Sequence, residues 1–302
     1  MPVALSMLDW WRKRQHKVMP YLFILPFFAI YGLFFLYPAV SAVNLSVHES
    51  IGLGSPKFIG LENYTTLLKD PRFLHALTNT ATYAAASVFI LSPLALLVAL
   101  AIRSYLVPRG FKGFYRVAFF LPILTSFVVI ALMFGLVFHK DYGLLNAGLG
   151  ALRLPGPDWL RSESFAMPSI ILVAIWAYLG INTLYFLAGL ESIPDELKEA
   201  AATDGASTWQ IFRHVTLPLL APTILFVGVQ ATIFSFQLFE VPFLLTGGGP
   251  SDATLTLAIY LYETGFQGFN RGYASAIGVL MAVISIGLTG MWLFLFRRSS
   301  TK

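Results

Sequence analysis

ELKEAAATDGASTWQIFRHVTLP, residues 196–218, carries acids, bases, a glycine and an amphipathic pattern, and long apolar runs lie on both sides of it. Apolar types make up 57% of the 302 residues and charged types only 12%. Soluble domains carry about a quarter charged residues, so the deficit reads as a membrane protein and not as a large water-soluble core. A polar insert kept between such segments is a loop with a job.

Working outward, six segments are long and apolar enough to span a bilayer, which takes about 20 residues. They fall at 18–47, 75–103, 115–138, 167–190, 217–245 and 273–296. The first is too long for a simple signal peptide, although AVSA near residue 40 also fits a weak cleavage site. Lys and Arg fix the orientation. Arg12, Lys13, Arg14 and Lys17, then Arg103, Arg109, Lys112 and Arg116, then Arg297, Arg298 and Lys302 share one side with Lys198 and Arg213. That side holds 13 of the 20 basic residues and is read as the cytoplasm, with both termini inside. The bases sort by membrane side and form no single patch, which argues against a nucleic-acid partner despite the net charge of +5. With no cysteine, disulfides, Cys-ligated zinc and thiol catalysis are excluded.

Residues 1–74 read as a cytoplasmic N-terminus, the first span and an interfacial helix on the outer face. Leu61, Tyr64, Leu67 and Leu68 give that helix its spacing. Residues 75–296 form a core of five spans with cytoplasmic helices at 192–216, and 297–302 are a tail. TGGGPSDAT, 246–254, is a turn cluster and not a phosphate loop, since no G-K-[ST] follows.

The opening stretch reads as helix–turn–helix. Ser192 to Asp195 has capping-box spacing, with Pro194 tolerated in the first turn and Asp195 and Glu196 favoured there by the helix dipole. Leu197, Ala200, Ala201 and Asp204 share a side, and Gly205 supplies the stop. Ser207 to Gln210 is a second capping box, and the helix it opens carries Trp209 and Phe212 and ends at Pro218. Small alanines let another surface approach closely, Glu199 offers a carboxylate to a basic partner, and the aromatic pair suits an interface. A loop resting on lipid would be rich in Lys and Arg instead.

Glu199-Ala200-Ala201, three residues, Gly205, nine residues, then Val215-x-Leu217-Pro218 resembles the EAA signature of permease subunits of binding-protein-dependent ABC importers, with Val215 in place of Ile. GLESIPDELKEAA and LLTGGGPSDAT look like the carbohydrate-uptake branch, the maltose and glycerol-phosphate type. The resemblance implies an all-α membrane protein with six transmembrane helices, a type I ABC importer permease in a bacterial or archaeal plasma (inner) membrane. The EAA stretch would dock as a coupling helix into a separate ATPase. The implied partners are two ATPase copies, a second homologous permease and an extracytoplasmic sugar-binding protein, with membrane lipid around them. The chain itself would bind no cofactor. ATP and Mg would sit on the ATPase, in keeping with the absence of any G-x-x-x-x-G-K-[ST] here.

Polar residues within spans are costly and mark pathways. Tyr178, Asn182 and Tyr185 recur at i, i+4 and i+7, and Gln230, Gln237 and Glu240 lie on one face of the fifth span. Hydrogen-bonding groups beside flat rings suit sugar hydroxyls and pyranose faces. Helix–helix hydrogen bonding also accounts for Asn182 and Gln237, interfacial anchoring for Tyr185 and Glu240, and helix packing for Thr125 and Ser126. The family resemblance places substrate contacts near Leu179, Gly180, Thr183 and Ser235, which coincide with these stripes only in part. The implied cargo is an oligosaccharide or disaccharide, with a polyol and glycerol phosphate still open, moved by alternating access.

Nothing in the sequence marks an enzyme. His16, His48, His75, His139 and His214 are scattered without ligand spacing. The competing reading is an ion-coupled secondary transporter, which calls for paired interrupted helices and a carboxylate deep in the membrane.

Overall fold

Apolar periodicity becomes helix almost throughout. The computed structural model describes residues 2–52, 54–104 and 108–299. In chain order the helices are α1 (residues 2–46), α2 (Glu62–Leu67), α3 (Pro71–Arg103), α4 (Arg109–Phe120), α5 (Phe127–Val137), α6 (Leu144–Ala151), α7 (Glu163–Glu191), α8 (Asp195–Thr203), α9 (Thr208–Leu219), α10 (Ala221–Phe236), α11 (Glu240–Thr246), α12 (Leu257–Tyr262) and α13 (Arg271–Ser299). A small antiparallel ribbon, β1 (His48–Glu49) with β2 (Lys57–Phe58), follows α1. Arg12, Lys13, Arg14, Arg109, Lys112, Arg116, Arg298 and Lys302, which carry much of the charge asymmetry, lie outside the residues whose side chains are described.

Among the described residues, four stretches are long and apolar enough to cross a membrane unbroken: Lys17–Ser46, Pro71–Arg103, Glu163–Glu191 and Arg271–Arg297. The two remaining expected spans are bent. Gly113–Leu124 meets Phe127–Val137 at 97°, and Thr208–Leu219 meets Ala221–Phe236 at 65°. The first bend follows a 3₁₀ turn at Leu121–Leu124 that contains Pro122. Proline removes a backbone donor and breaks the ladder there. The second bend corrects the expected helix end, because Pro218 sits inside a short turn and the axis changes at Leu220, ahead of Pro222. The fifth span is broken once more, between Phe236 and Glu240.

α1 is apolar on every face, and residue after residue from Tyr21 to Val43 is exposed, Phe23 at 80% and Phe34 at 72%. Such a helix belongs in lipid or against another membrane chain. Only its end, Tyr37–Ser46, packs on α13. A helix forms where the spacing of Leu61, Tyr64, Leu67 and Leu68 falls, α2, shorter than that spacing suggests. Leu67 is fully buried, while Leu61 and Leu68 stay exposed. Asn63 Nδ2 donates to the carbonyls of Ser46 (2.8 Å) and His48 (3.0 Å), fastening α2 to the end of α1.

α3 starts at Pro71, ahead of the expected residue 75, because Asp70 caps it by accepting from the Arg72 backbone N–H at 2.9 Å and Pro71 takes the first helical position. Arg72 then grips Asp252 through Nε and Nη2, each at 2.8 Å, and Glu263 through Nη1 at 2.8 Å. Its hydrogen bond holds the Asp252 carboxyl below the usual carboxylate range. Beneath this grip the segment after the glycine turn is buried, with Thr254, Leu255 and Leu257 all at 0% exposure. Asn79 Nδ2 secures it by donating to the carbonyls of Asp252 (2.9 Å) and Leu255 (3.0 Å). Asn79→Ala leaves both acceptors without that donor and is expected to cost about 2 kcal/mol. The check is a detergent thermal-unfolding midpoint several degrees below that of the exposed control Thr78→Ala. Equal midpoints would contradict the role given to this side chain.

Three apolar clusters tie the bundle together. One joins α3, α12 and α13 through Phe73, Ala76, Ile259 and Ile277. A second joins α5, α7 and α11 through Ile130, Phe134, Val173 and Val241. A third joins α3, α7 and α10 through Ala95, Ala99, Leu187 and Val227, at the end that carries α8 and α9.

Candidate functional site

The polar insert forms two short helices held away from the bundle. α8 begins at Asp195 with Pro194 as its cap residue and no side-chain cap. The expected Ser192 box is therefore absent, because Ser192 closes α7 and its hydroxyl donates to the Gly189 carbonyl at 2.8 Å. The stop at Gly205 is as read. Its φ is +83°, a left-handed conformation suited to glycine. Gly205 N–H donates to the Ala202 carbonyl and Ala206 N–H to the Ala201 carbonyl, both at 3.0 Å, which closes the helix. The Ser207 box is complete, with Gln210 Oε1 accepting from the Ser207 N–H at 2.7 Å.

No residue of α8 is buried. Arg103 at the end of α3 donates to Asp195 at 2.7 Å, and Lys198 donates to the same oxygen at 3.0 Å. These two cations hold the Asp195 carboxyl below the usual carboxylate range, Lys198 most strongly. Ile193 is the apolar pin, 4% exposed in the third cluster. Glu199, Ala200, Asp204 and Gly205 are all exposed, and Ala201 is half-buried. Trp209 is 64% exposed and tilts against half-buried Phe212, with ring centroids 5.5 Å apart. Leu217 is half-buried and Pro218 exposed at the far end of α9. The result is a small-residue knob with Glu196, Glu199 and Asp204 and one indole on display.

On the other side of the third cluster lies a cavity of about 390 Å³, within the usual range for small-molecule sites. α7 supplies Tyr178, Asn182 and Tyr185, and α10 supplies Gln230 and Ser235. Gln237 and Glu240 reach it from the break between α10 and α11. The face argument for Gln230, Gln237 and Glu240 assumed one continuous helix. The break replaces that helix, yet all three still converge. Ile123, from the 3₁₀ turn in the other broken span, also lines the cavity. Irregular backbone at membrane depth is tolerated where it lines a cavity, and both interruptions do so here.

Gln230 Nε2 donates to the Tyr185 hydroxyl at 3.3 Å, while Gln230 Oε1 is buried with no hydrogen-bond partner. Asn182 Nδ2 donates back to the Tyr178 carbonyl at 2.9 Å, and the Ser235 hydroxyl donates to the Ala231 carbonyl at 2.6 Å. Phe127 stands 5.8 Å from the Tyr178 ring and Phe226 stands 5.2 Å from the Tyr185 ring, centroid to centroid. Aromatic faces and neutral amides thus surround one space. Gly180 and Thr183 are not among the lining residues. Gly180 is a contact point, since a Cβ there would lie 1.8 Å from the Phe119 carbonyl oxygen. Thr183 is buried and donates to the Leu179 carbonyl at 2.8 Å. Sequence reading missed Tyr83 and Ser87, which line the cavity from α3 beside the π turn Ser87–Leu91. Their signal was present: Asn79, Tyr83 and Ser87 repeat every four residues.

Residues 91–300 match the family described as binding-protein-dependent transport system inner membrane component. The arabinooligosaccharides transport system permease protein AraP of Bacillus subtilis is 38% identical over 270 residues, covering 89% of this chain and 85% of that protein. The sn-glycerol-3-phosphate transport system permease protein UgpA of Agrobacterium fabrum is 36% identical over 279 residues, covering 91% and 93% respectively. A chain of the bacterial alginate ABC transporter, solved in complex with an alginate pentasaccharide-bound periplasmic protein, matches with a TM-score of 0.84 at 25% identity, covering 95% of this chain and 97% of that one.

Proposed function

The chain belongs to the binding-protein-dependent transport system inner membrane component family, and from that premise we propose that it is the membrane-spanning subunit of an ATP-driven importer of an oligosaccharide or disaccharide. Its six spans leave both termini in the cytoplasm of a bacterial or archaeal cell. The cavity is this chain's half of the translocation pathway, and a second homologous permease supplies the other half. α8 and α9 dock on one of two separate ATPase subunits, which hold ATP and Mg. Closure of the ATPases drives the pathway between inward-open and outward-open states, and an extracytoplasmic binding protein delivers the cargo.

The observation that carries this reading is the cavity itself: aromatic faces and neutral hydrogen-bonding groups where two interrupted helices meet. Flat rings accommodate the apolar faces of pyranoses, and amides pair with hydroxyls. The displayed knob on α8 supports the coupling role, because a helix with no buried residue of its own gains stability by docking. Relatives named for arabinooligosaccharide and sn-glycerol-3-phosphate transport make a hydroxyl-rich solute the natural cargo.

Proteoliposomes holding the chain with its neighbouring permease, ATPase and binding protein test the proposal. Sugar accumulation is expected only with ATP on the ATPase side. Accumulation driven by a proton or sodium gradient without ATP would replace this reading with the ion-coupled one.

A further inference from the structure

Among the described residues that line the cavity there is no Lys, Arg or His, and Glu240 is the one carboxylate. Glu240 opens α11 directly after the break that admits it to the cavity. Tyr185 and Gln230 form the one side-chain hydrogen bond between α7 and α10 at this site, and that bond leaves Gln230 Oε1 as a buried acceptor without a donor. The Tyr185 oxygen already accepts from the amide, so its own proton is directed elsewhere. Gln230 Oε1 itself is closed to solvent, so what the two residues bring to this wall is neutral polarity. Neutral amides and hydroxyls pair with ligand hydroxyls and carry no positive charge to offset an anion.

We propose that this chain's half of the pathway is charge-selective, passing uncharged polyhydroxylated ligands and disfavouring anionic ones, with Glu240 as the filter. The inference rests on the pathway reading above and narrows it to neutral glycans. An anion entering this half of the pathway meets a like charge with no cation on the described lining to offset it. The aromatic faces of Tyr178 and Tyr185 contribute their electron-rich surfaces to the same bias.

The chain contains no cysteine, so a single introduced thiol reports its surroundings without background from this subunit. Ala231→Cys and, as a second position, Asn182→Cys place the thiol in the cavity. Each variant, in the complete complex reconstituted on a cysteine-free background, is treated with cationic trimethylammonioethyl, anionic sulfonatoethyl and neutral hydroxyethyl methanethiosulfonate. Ser55→Cys, on the exposed turn before β2, supplies the reference ratio of cationic to anionic rates. The cavity ratio is expected to exceed the reference by about tenfold, the order of effect that one nearby unit charge has on oppositely charged reagents after screening. Glu240→Gln is expected to return it to the reference. A cavity ratio equal to the reference, or one unmoved by Glu240→Gln, overturns the filter while leaving the pathway reading standing. If the neutral reagent modifies neither cavity position, or modifies them without slowing sugar uptake, the pathway reading falls and takes the filter with it.

Discussion

Glu199→Lys is expected to leave the chain folded and inserted in the membrane, to release the ATPase subunit on purification, and to cut ATP-driven uptake at least tenfold. The reasoning starts from burial. No residue of α8 is buried, and the helix is held by Asp195, Lys198 and Arg103 on its first turns and by the Gly205 closure at its end. Glu199 contributes to none of these; its carbonyl accepts from the Thr203 hydroxyl, a bond that any residue at 199 retains. Surface substitutions of this kind shift stability by about 0.5 kcal/mol or less. The new ammonium would also stand one turn after Asp195, an arrangement worth roughly 0.3 kcal/mol to a helix. Any loss of function must then arise at a partner. Reversing a carboxylate that meets a cation across a buried contact costs on the order of 2–5 kcal/mol, and 1.4 kcal/mol is already tenfold in affinity. Co-purification of the ATPase, scored beside membrane insertion, separates the two effects. An ATPase that stays bound with uptake at parental levels would remove Glu199 from the coupling surface.

Much of this was legible in sequence, and the reasons it was or was not are local. The long apolar runs of α3, α7 and α13 satisfy their own backbone, so length and hydropathy suffice to find them. Gly205 and the Ser207–Gln210 box were legible because caps are made by residues within one turn of each other. Ser192 has the same local signature, but α7 continues to Glu191 and claims its hydroxyl, so a tertiary fact decided it. The break at 237–239 has a local signal in Pro242, which lacks the N–H that would bond the Leu238 carbonyl four residues earlier and whose ring crowds that carbonyl. What the span does not show is where that carbonyl goes: the Thr256 hydroxyl donates to it at 2.7 Å, and Leu238 and Val241 are buried in the second cluster. Interrupted helices were also the mark assigned to an ion-coupled carrier. Two such helices exist here, so helix interruption alone does not separate the two transporter classes, and family membership does.

Gly180 shows the same limit from the other side, and it yields the second large effect. Family resemblance placed it among substrate contacts, and its neighbours Tyr178 and Asn182 do line the cavity, whereas Gly180 does not. Its α-carbon instead lies against the end of α4, where an added Cβ would stand 1.8 Å from the Phe119 carbonyl oxygen and 2.4 Å from the carbonyl carbon. Backbone cannot swing aside as a flexible side chain does, so Gly180→Ala must separate α7 from α4 just ahead of the 3₁₀ turn at Leu121–Leu124. Overpacking of this kind costs about 1–3 kcal/mol or more, and here it would also shift Ile123 on the cavity wall. The expected result is a thermal midpoint lowered by several degrees, together with uptake reduced severalfold for any cargo. Ser235→Ala makes the contrast, because it removes one cavity hydroxyl whose bond runs within its own helix to Ala231, and it should leave the midpoint near the parent. If Gly180→Ala kept parental stability while discriminating among sugars, Gly180 would return to the pathway and the α4–α7 contact would have to be softer than its geometry indicates.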